Sequence, residues 1–289
     1  MKTRILSLAA SVMPLLLVSL PASAQKAPAK IYNTIIDKLK DGKQVVGGTL
    51  SSPDPDIYCA MATSGFDYLW IEMQHSPLTY METARMIRAC KGSAAMPFIR
   101  VPDATEGDIQ KATDMGAVGI IIPMVESIDK IRNAVKFAKY PPIGSRSQGG
   151  GQYGVMWGAD YRQTANDNVM IVAMIESPAG VKIADEIANF PGVDVVFVAS
   201  TDLGSFSGFK QGDPQYEAMV TRIHDATLKA GRKLGGPLAW KNRPGFTFFQ
   251  GPGETVLIKS GALATLGAPA APGGKGVAAI EGSEHTEKK

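Results

Sequence analysis

From Lys30 onward the chain alternates two hydrophobic patterns: short unbroken apolar runs, and longer stretches in which apolar residues recur every three or four positions. The first pattern belongs to strands buried on both faces, the second to helices with one apolar side. The runs predict strands at 44–49, 68–71, 97–101, 119–123, 170–175, 193–198, 233–237 and 246–249. The spaced stretches predict helices, including 31–39 ahead of the first strand, 79–90, 128–138 and 216–230. Strands and helices alternating at the spacing of a βαβ unit imply a parallel sheet. Eight such units predict an α/β chain folded as a single (β/α)8 TIM barrel with an N-terminal helix. An open doubly wound sheet is the alternative. It calls for a glycine-rich phosphate turn after its first strand, and Gly47-Gly48-Thr49-Leu50-Ser51 lacks the GxGxxG spacing.

Three segments break the rhythm. Lys2 and Arg4 precede an apolar run from Ile5 to Leu20, closed by Pro21 and the small triplet Ala22-Ser23-Ala24. That is the layout of an export signal cleaved after Ala24, and the run is short for a membrane span. Segment 140–168 is rich in Gly, Gln and Tyr and opens on a Pro-Pro pair, which predicts a long insertion of the functional or mobile kind. Residues 268–289 lack any apolar period and predict a disordered tail, which sets His285 aside as a catalytic group. The expected plan is a signal peptide at 1–24, a barrel domain at 25–267 and a tail at 268–289.

Charge and cysteine content narrow the partners. The formal charge of the 289 residues is +3, and loss of Lys2 and Arg4 with the signal leaves +1. A near-neutral chain offers no electrostatic ground for nucleic acid or an anionic membrane as partner. The mature protein is therefore expected in the periplasm or outside the cell, free of the membrane. Its two cysteines, Cys59 and Cys90, exclude a disulfide framework and argue against a zinc cluster. Both fall in helices that neighbour each other in a barrel. Export permits a bridge, but two buried free thiols are the expected state, because a bridge needs close, aligned Cβ atoms.

In a parallel barrel the C-terminal strand ends converge at one mouth. Just past those ends lie Glu72 and His75 (LWIEMQHSP), Arg100 (MPFIRVPD), Glu176 (VMIVAMIESPAG) and Asp202 (VDVVFVASTDLGS). A carboxylate after a run of hydrophobics is costly unless paired, hydrogen-bonded or metal-bound. Two carboxylates at adjacent strand ends suit a hard divalent ion, Mg2+ or Mn2+; the plain alternative is a helix N-cap for each. Glu72 and His75 could form a carboxylate–imidazole pair for acid–base work, or His75 is a solvated loop residue. Arg100 suits a substrate carboxylate or enolate, or else bridges to a neighbouring strand. Ser200 and Thr201 lie in a turn of small residues whose backbone N–H groups could hold a substrate carboxylate. Arg146 is read as reaching the mouth or a neighbouring subunit, or as a solvated loop arginine. His224, in the predicted helix 216–230, reads as structural.

With these motifs in this order the chain resembles the HpcH/HpaI aldolase family, class II metal-dependent pyruvate aldolases on a TIM barrel. The resemblance runs from about Ile31 to Leu266 and rests on GFDYLWIEMQHSP, PFIRVP, IIIPMVES, KYPPIGSRS and IESPAG…GVDVVFVASTDLG. It implies Glu176 and Asp202 as metal ligands, His75 as the catalytic histidine with Glu72 as its acidic partner, and Arg100 as the enolate-stabilising, substrate-binding arginine. It also implies a homo-oligomer, a hexamer by the family's habit. The chain departs from the family pattern at Glu72 (usually Asp), Met73-Gln74 (usually Gly-Glu) and Ala199-Ser200-Thr201 (usually Gly-Pro-Ala). Its eighth strand-to-helix connection, FFQGPGETVLIKSG, carries one extra residue, and an export signal is unusual in the family. The implied reaction cleaves a 4-hydroxy-2-oxo acid to pyruvate and an aldehyde through a metal-stabilised enolate. An acyl-CoA lyase of the citrate-lyase type and an exported oxyacid-binding protein on a non-catalytic barrel are the competing expectations.

Overall fold

The computed structural model describes residues 30–267; the expected signal peptide and tail lie outside the described residues. Eight parallel strands close into a barrel in sequence order. They are β1 (Val45–Leu50), β2 (Tyr68–Glu72), β3 (Met96–Arg100), β4 (Gly119–Ile122), β5 (Met170–Ile175), β6 (Val195–Val198), β7 (Lys233–Pro237) and β8 (Phe246–Gly253). Helix α1 (Thr34–Lys40) precedes them. Outside the barrel lie α2 (Pro55–Ala62), α3 (Tyr80–Ala89), α4 (Glu106–Asp114), α5 (Ile128–Ala138), α6 (Tyr153–Trp157) and α7 (Tyr161–Asn168). They are followed by α8 (Pro178–Lys182), α9 (Ala184–Asn189), α10 (Ser200–Ser207), α11 (Pro214–Lys229) and α12 (Glu254–Leu266). Every predicted strand is present. Helix starts follow their caps: Asp54 accepts two backbone N–H groups of α2, and Thr79 and Glu82 form a reciprocal capping box on α3.

Strand side chains alternate between two apolar shells. One shell fills the barrel with Tyr68, Trp70, Phe98, Val172, Met174, Phe197 and Phe248; the other packs Ile71, Ile99, Ile120, Ile175 and Val198 against the helices. Bulky interior rings need room at their register partners on the neighbouring strand. A Cβ at Gly47 would lie 2.2 Å from the Tyr68 ring, and one at Gly119 1.9 Å from the Phe98 ring, so these two strand positions admit only glycine. Ile35 and Leu39 of α1 join the interior shell and close the barrel end opposite the mouth. The alternation sets the mouth by parity: the positions that face inward at 70, 98 and 174 are followed two residues later by Glu72, Arg100 and Glu176.

Strand β8 runs four residues past its predicted apolar end. Against β1 its register slips between Gly47 and Thr49, which pair with Gln250 and Gly253. Across that stretch β8 carries one residue more than β1, a β-bulge at the mouth.

Two expectations are corrected. Cys59, inside α2, and Cys90, at the C-cap of α3, form a disulfide instead of two free thiols, with Cα atoms 5.4 Å apart. The two helices pack side by side around β2 and bring the Cβ atoms within reach. Segment 140–168 is ordered into α6 and α7 and turns away from the mouth. Trp157 donates to the Gly116 carbonyl just before β4 and stacks on Tyr32, and Asn168 accepts the N–H groups of Tyr32 and Asn33. Arg146 is buried there, neither solvated nor at the mouth. It pairs with Asp114 at 2.8 Å and sits among the rings of Tyr140, Tyr153 and Tyr161. The insertion is ordered because its aromatic residues have an apolar surface at the strand N-terminal end to cover.

Candidate active site

Glu72 and Arg100 end β2 and β3 as register partners, both inward and both buried. Arg100 Nε lies 2.6 Å and Nη2 2.5 Å from Glu72 Oε2, and the Trp70 indole N–H donates to the same oxygen at 3.2 Å. Oε1 accepts the backbone N–H groups of Gln74 at 2.8 Å and His75 at 2.9 Å. Glu72 thus fixes the loop that carries His75 through its backbone, and its carboxylate is spent on Arg100 instead of on the imidazole. The expected carboxylate–imidazole pair is not formed: the longer Glu side chain reaches across to the neighbouring strand. His75 itself is exposed at the rim of the mouth. Of the two readings of Arg100, the inter-strand bridge is present, and it leaves Nη1 uncommitted to Glu72.

Glu176 follows β5, and the Ala199 N–H donates to the Ile175 carbonyl beside it, so β6 delivers Asp202 one helical turn further along. Neither carboxylate is an N-cap: Ser177 caps α8, and α10 begins after Ala199 with no side-chain cap. Glu176 is 2% exposed, and its Oε1 is a buried atom without a hydrogen-bond partner. Burial pushes its carboxyl above the usual range. The Asp202 charge pushes the same way, while the Met124 N–H, Arg100 and Lys130 pull it down. Ser200 and Thr201, expected in a turn, form the first turn of α10; Ser200 is buried, and its carbonyl accepts the Tyr216 hydroxyl. Among the described residues no three His, Cys, Asp or Glu side chains gather at one point.

Sequence reasoning missed four contributors. Trp70 was visible in principle, two residues before Glu72 on the same strand face. Lys130 in the first turn of α5 pairs with Asp103 at 2.7 Å, linking the loop after β3 to α5. Glu126 accepts from Ser177 at 2.5 Å. Met124 holds a left-handed φ of 48°, the one non-glycine residue with positive φ among those described, and no sequence signal marks it. His224 is on α11 beside Asp225, away from the mouth.

The family model described as HpcH/HpaI aldolase/citrate lyase matches residues 50–238. A hydroxypyruvate/pyruvate aldolase of Roseovarius nubinhibens is 32% identical over 70% of this chain and 81% of its own length. A 2-dehydro-3,6-dideoxy-6-sulfogluconate aldolase of Pseudomonas putida is 31% identical over 69% of this chain and 78% of its own. Among solved structures, an HpcH/HpaI aldolase/citrate lyase family protein of Burkholderia cenocepacia J2315 superposes with a TM-score of 0.74, at 27% identity, over 81% of this chain and 98% of that one.

Proposed function

The chain belongs to the HpcH/HpaI aldolase/citrate lyase family and is a carbon–carbon lyase, and from the residues that meet at its mouth we propose that it cleaves a 4-hydroxy-2-oxo acid to pyruvate and an aldehyde with a divalent cation, Mg2+ or Mn2+. One observation carries the metal: a buried carboxylate oxygen on Glu176 without a protein donor, on which the Asp202 charge also acts unfavourably. Glu176 and Asp202 would hold a hard cation, which would satisfy both carboxylates. When bound it supplies Lewis-acid polarisation of the 2-oxo group.

The chain's own residues do the rest. Arg100, oriented by Glu72, turns its Nη1 donors toward the oxygen on which negative charge develops as the C–C bond breaks. His75, held through its backbone by Glu72, takes the proton of the 4-hydroxyl as the C3–C4 bond breaks and returns it to C3 of the enolate, giving pyruvate. Ser200 and Thr201 lend backbone N–H groups of the first α10 turn to the substrate carboxylate. Exhaustive chelation is expected to stop pyruvate release from a panel of 4-hydroxy-2-oxo acids, and added Mn2+ to restore it. Arg100→Ala is expected to lose at least about a hundredfold in kcat while Mn2+ still binds. Unchanged pyruvate release after chelation defeats the mechanism. A thermal shift by oxalate with Mn2+, without turnover of any oxo acid, would identify an oxyacid-binding barrel instead.

The mature enzyme is proposed to work in the periplasm or outside the cell. The leader pattern supports this, as does a disulfide, which persists in oxidising compartments. It is also proposed to self-associate. After Glu254, α12 carries Lys259 as its single charge and exposes Val256, Ile258 and Leu266, an apolar helix that a second copy would cover.

A further inference from the structure

Trp70 is fully buried in the barrel floor, its ring 5.2 Å from Phe197 on the opposite wall. An indole N–H is a donor only, and a buried one needs an acceptor. Its acceptor is Glu72 Oε2, the same oxygen that Arg100 grips with Nε and Nη2. The guanidinium carbon lies 5.7 Å from the Trp70 ring centroid, so the ring also lies beneath the arginine and bars it from dropping into the barrel. With Oε1 taken by the N–H groups of Gln74 and His75, the Glu72 carboxylate has donors on both oxygens and no freedom to rotate toward the imidazole.

We propose that Trp70 is a positioning residue of the lyase site: its N–H holds the Glu72 carboxylate on Arg100 and its ring supports the guanidinium from below, so that Nη1 faces the substrate. The inference deepens the aldolase reading, and its kinetic arm rests on that reading. Trp70 touches no substrate; it acts through Glu72.

The test is a double-mutant cycle on the whole enzyme with Trp70→Phe, Glu72→Gln and the double variant. The readouts are kcat and KM for pyruvate release, melting temperature, and the indole N–H resonances of 15N-labelled protein. The chain has three tryptophans, so the Trp70 resonance is identified by its loss in Trp70→Phe. Trp70→Phe keeps the ring and is expected to lower kcat about tenfold, the scale of one hydrogen bond to a charged group. The KM for the oxo acid stays within about twofold. The double variant is no slower than Glu72→Gln alone, which a purely structural role would not produce. Glu72→Gln shifts the Trp70 resonance upfield. Additive losses in the cycle, wild-type kcat in Trp70→Phe, or a Trp70 resonance indifferent to Glu72→Gln would each overturn the proposal. A wild-type enzyme that releases no pyruvate at all would defeat the reaction instead, and the resonance arm then decides the role of Trp70 by itself.

Discussion

A carboxylate buried at the end of a hydrophobic strand and left with an unpartnered oxygen settles either by keeping its proton or by binding a cation. Glu176 is in that position, its carboxyl raised by burial and by Asp202. A raised acid in the folded state contributes stability that is complete below the ordinary carboxylate range and is lost as pH climbs through the raised value. In metal-free protein, Glu176→Gln is therefore expected to melt above wild type at about pH 8 and to match it near about pH 4. Mn2+ should raise the melting temperature of wild type and leave Glu176→Gln nearly unmoved. A variant that melts below metal-free wild type at the alkaline end would remove the electrostatic argument for a cation. At this scale the strand-end positions of Glu72, Arg100 and Glu176 were legible, because side-chain parity along a strand is a property of the sequence; Asp202 lies one helical turn beyond β6, in α10. Their contacts were not. Glu72 was expected on the His75 imidazole and lies on Arg100, a choice made by the β2–β3 register and by Trp70 below it.

Elements with a strong local pattern formed where the pattern put them; α5, for instance, occupies Ile128–Ala138 as expected. The insertion did not, since α6 and α7 owe their order to Tyr32, Gly116 and Asp114, which are far away in the chain. The disulfide likewise depends on how α2 and α3 lean together around β2. It closes a segment with a sequence separation of 31, for which the chain-entropy relation gives on the order of 3–4 kcal/mol. Cys59→Ser with Cys90→Ser, or reductant on wild type, should lower the melting temperature by several degrees while leaving kcat close to wild type. The bridge braces the helices around β2 and touches none of the mouth residues. A large loss of kcat with an unchanged melting temperature would contradict that placement.

For the whole molecule, the apolar exposure of α12 has a consequence in solution. The wild-type protein should migrate as a multiple of its single-chain mass in light scattering, and Val256→Lys with Ile258→Lys should shift it toward the monomer. A monomeric wild type at micromolar concentration would sink the proposal. The sequence by itself determined the barrel, its strand boundaries to within a few residues and the ring of polar groups at the mouth, because hydrophobic period and strand parity are local and repeat eight times. Tertiary structure alone decided that Glu72 holds Arg100, that Cys59 meets Cys90, that the insertion covers the far end of the barrel, and that Trp70 underlies the site. Each of these is a contact between residues distant in the chain, and its partner is selected by strand register and helix packing, which exist only once the barrel has closed.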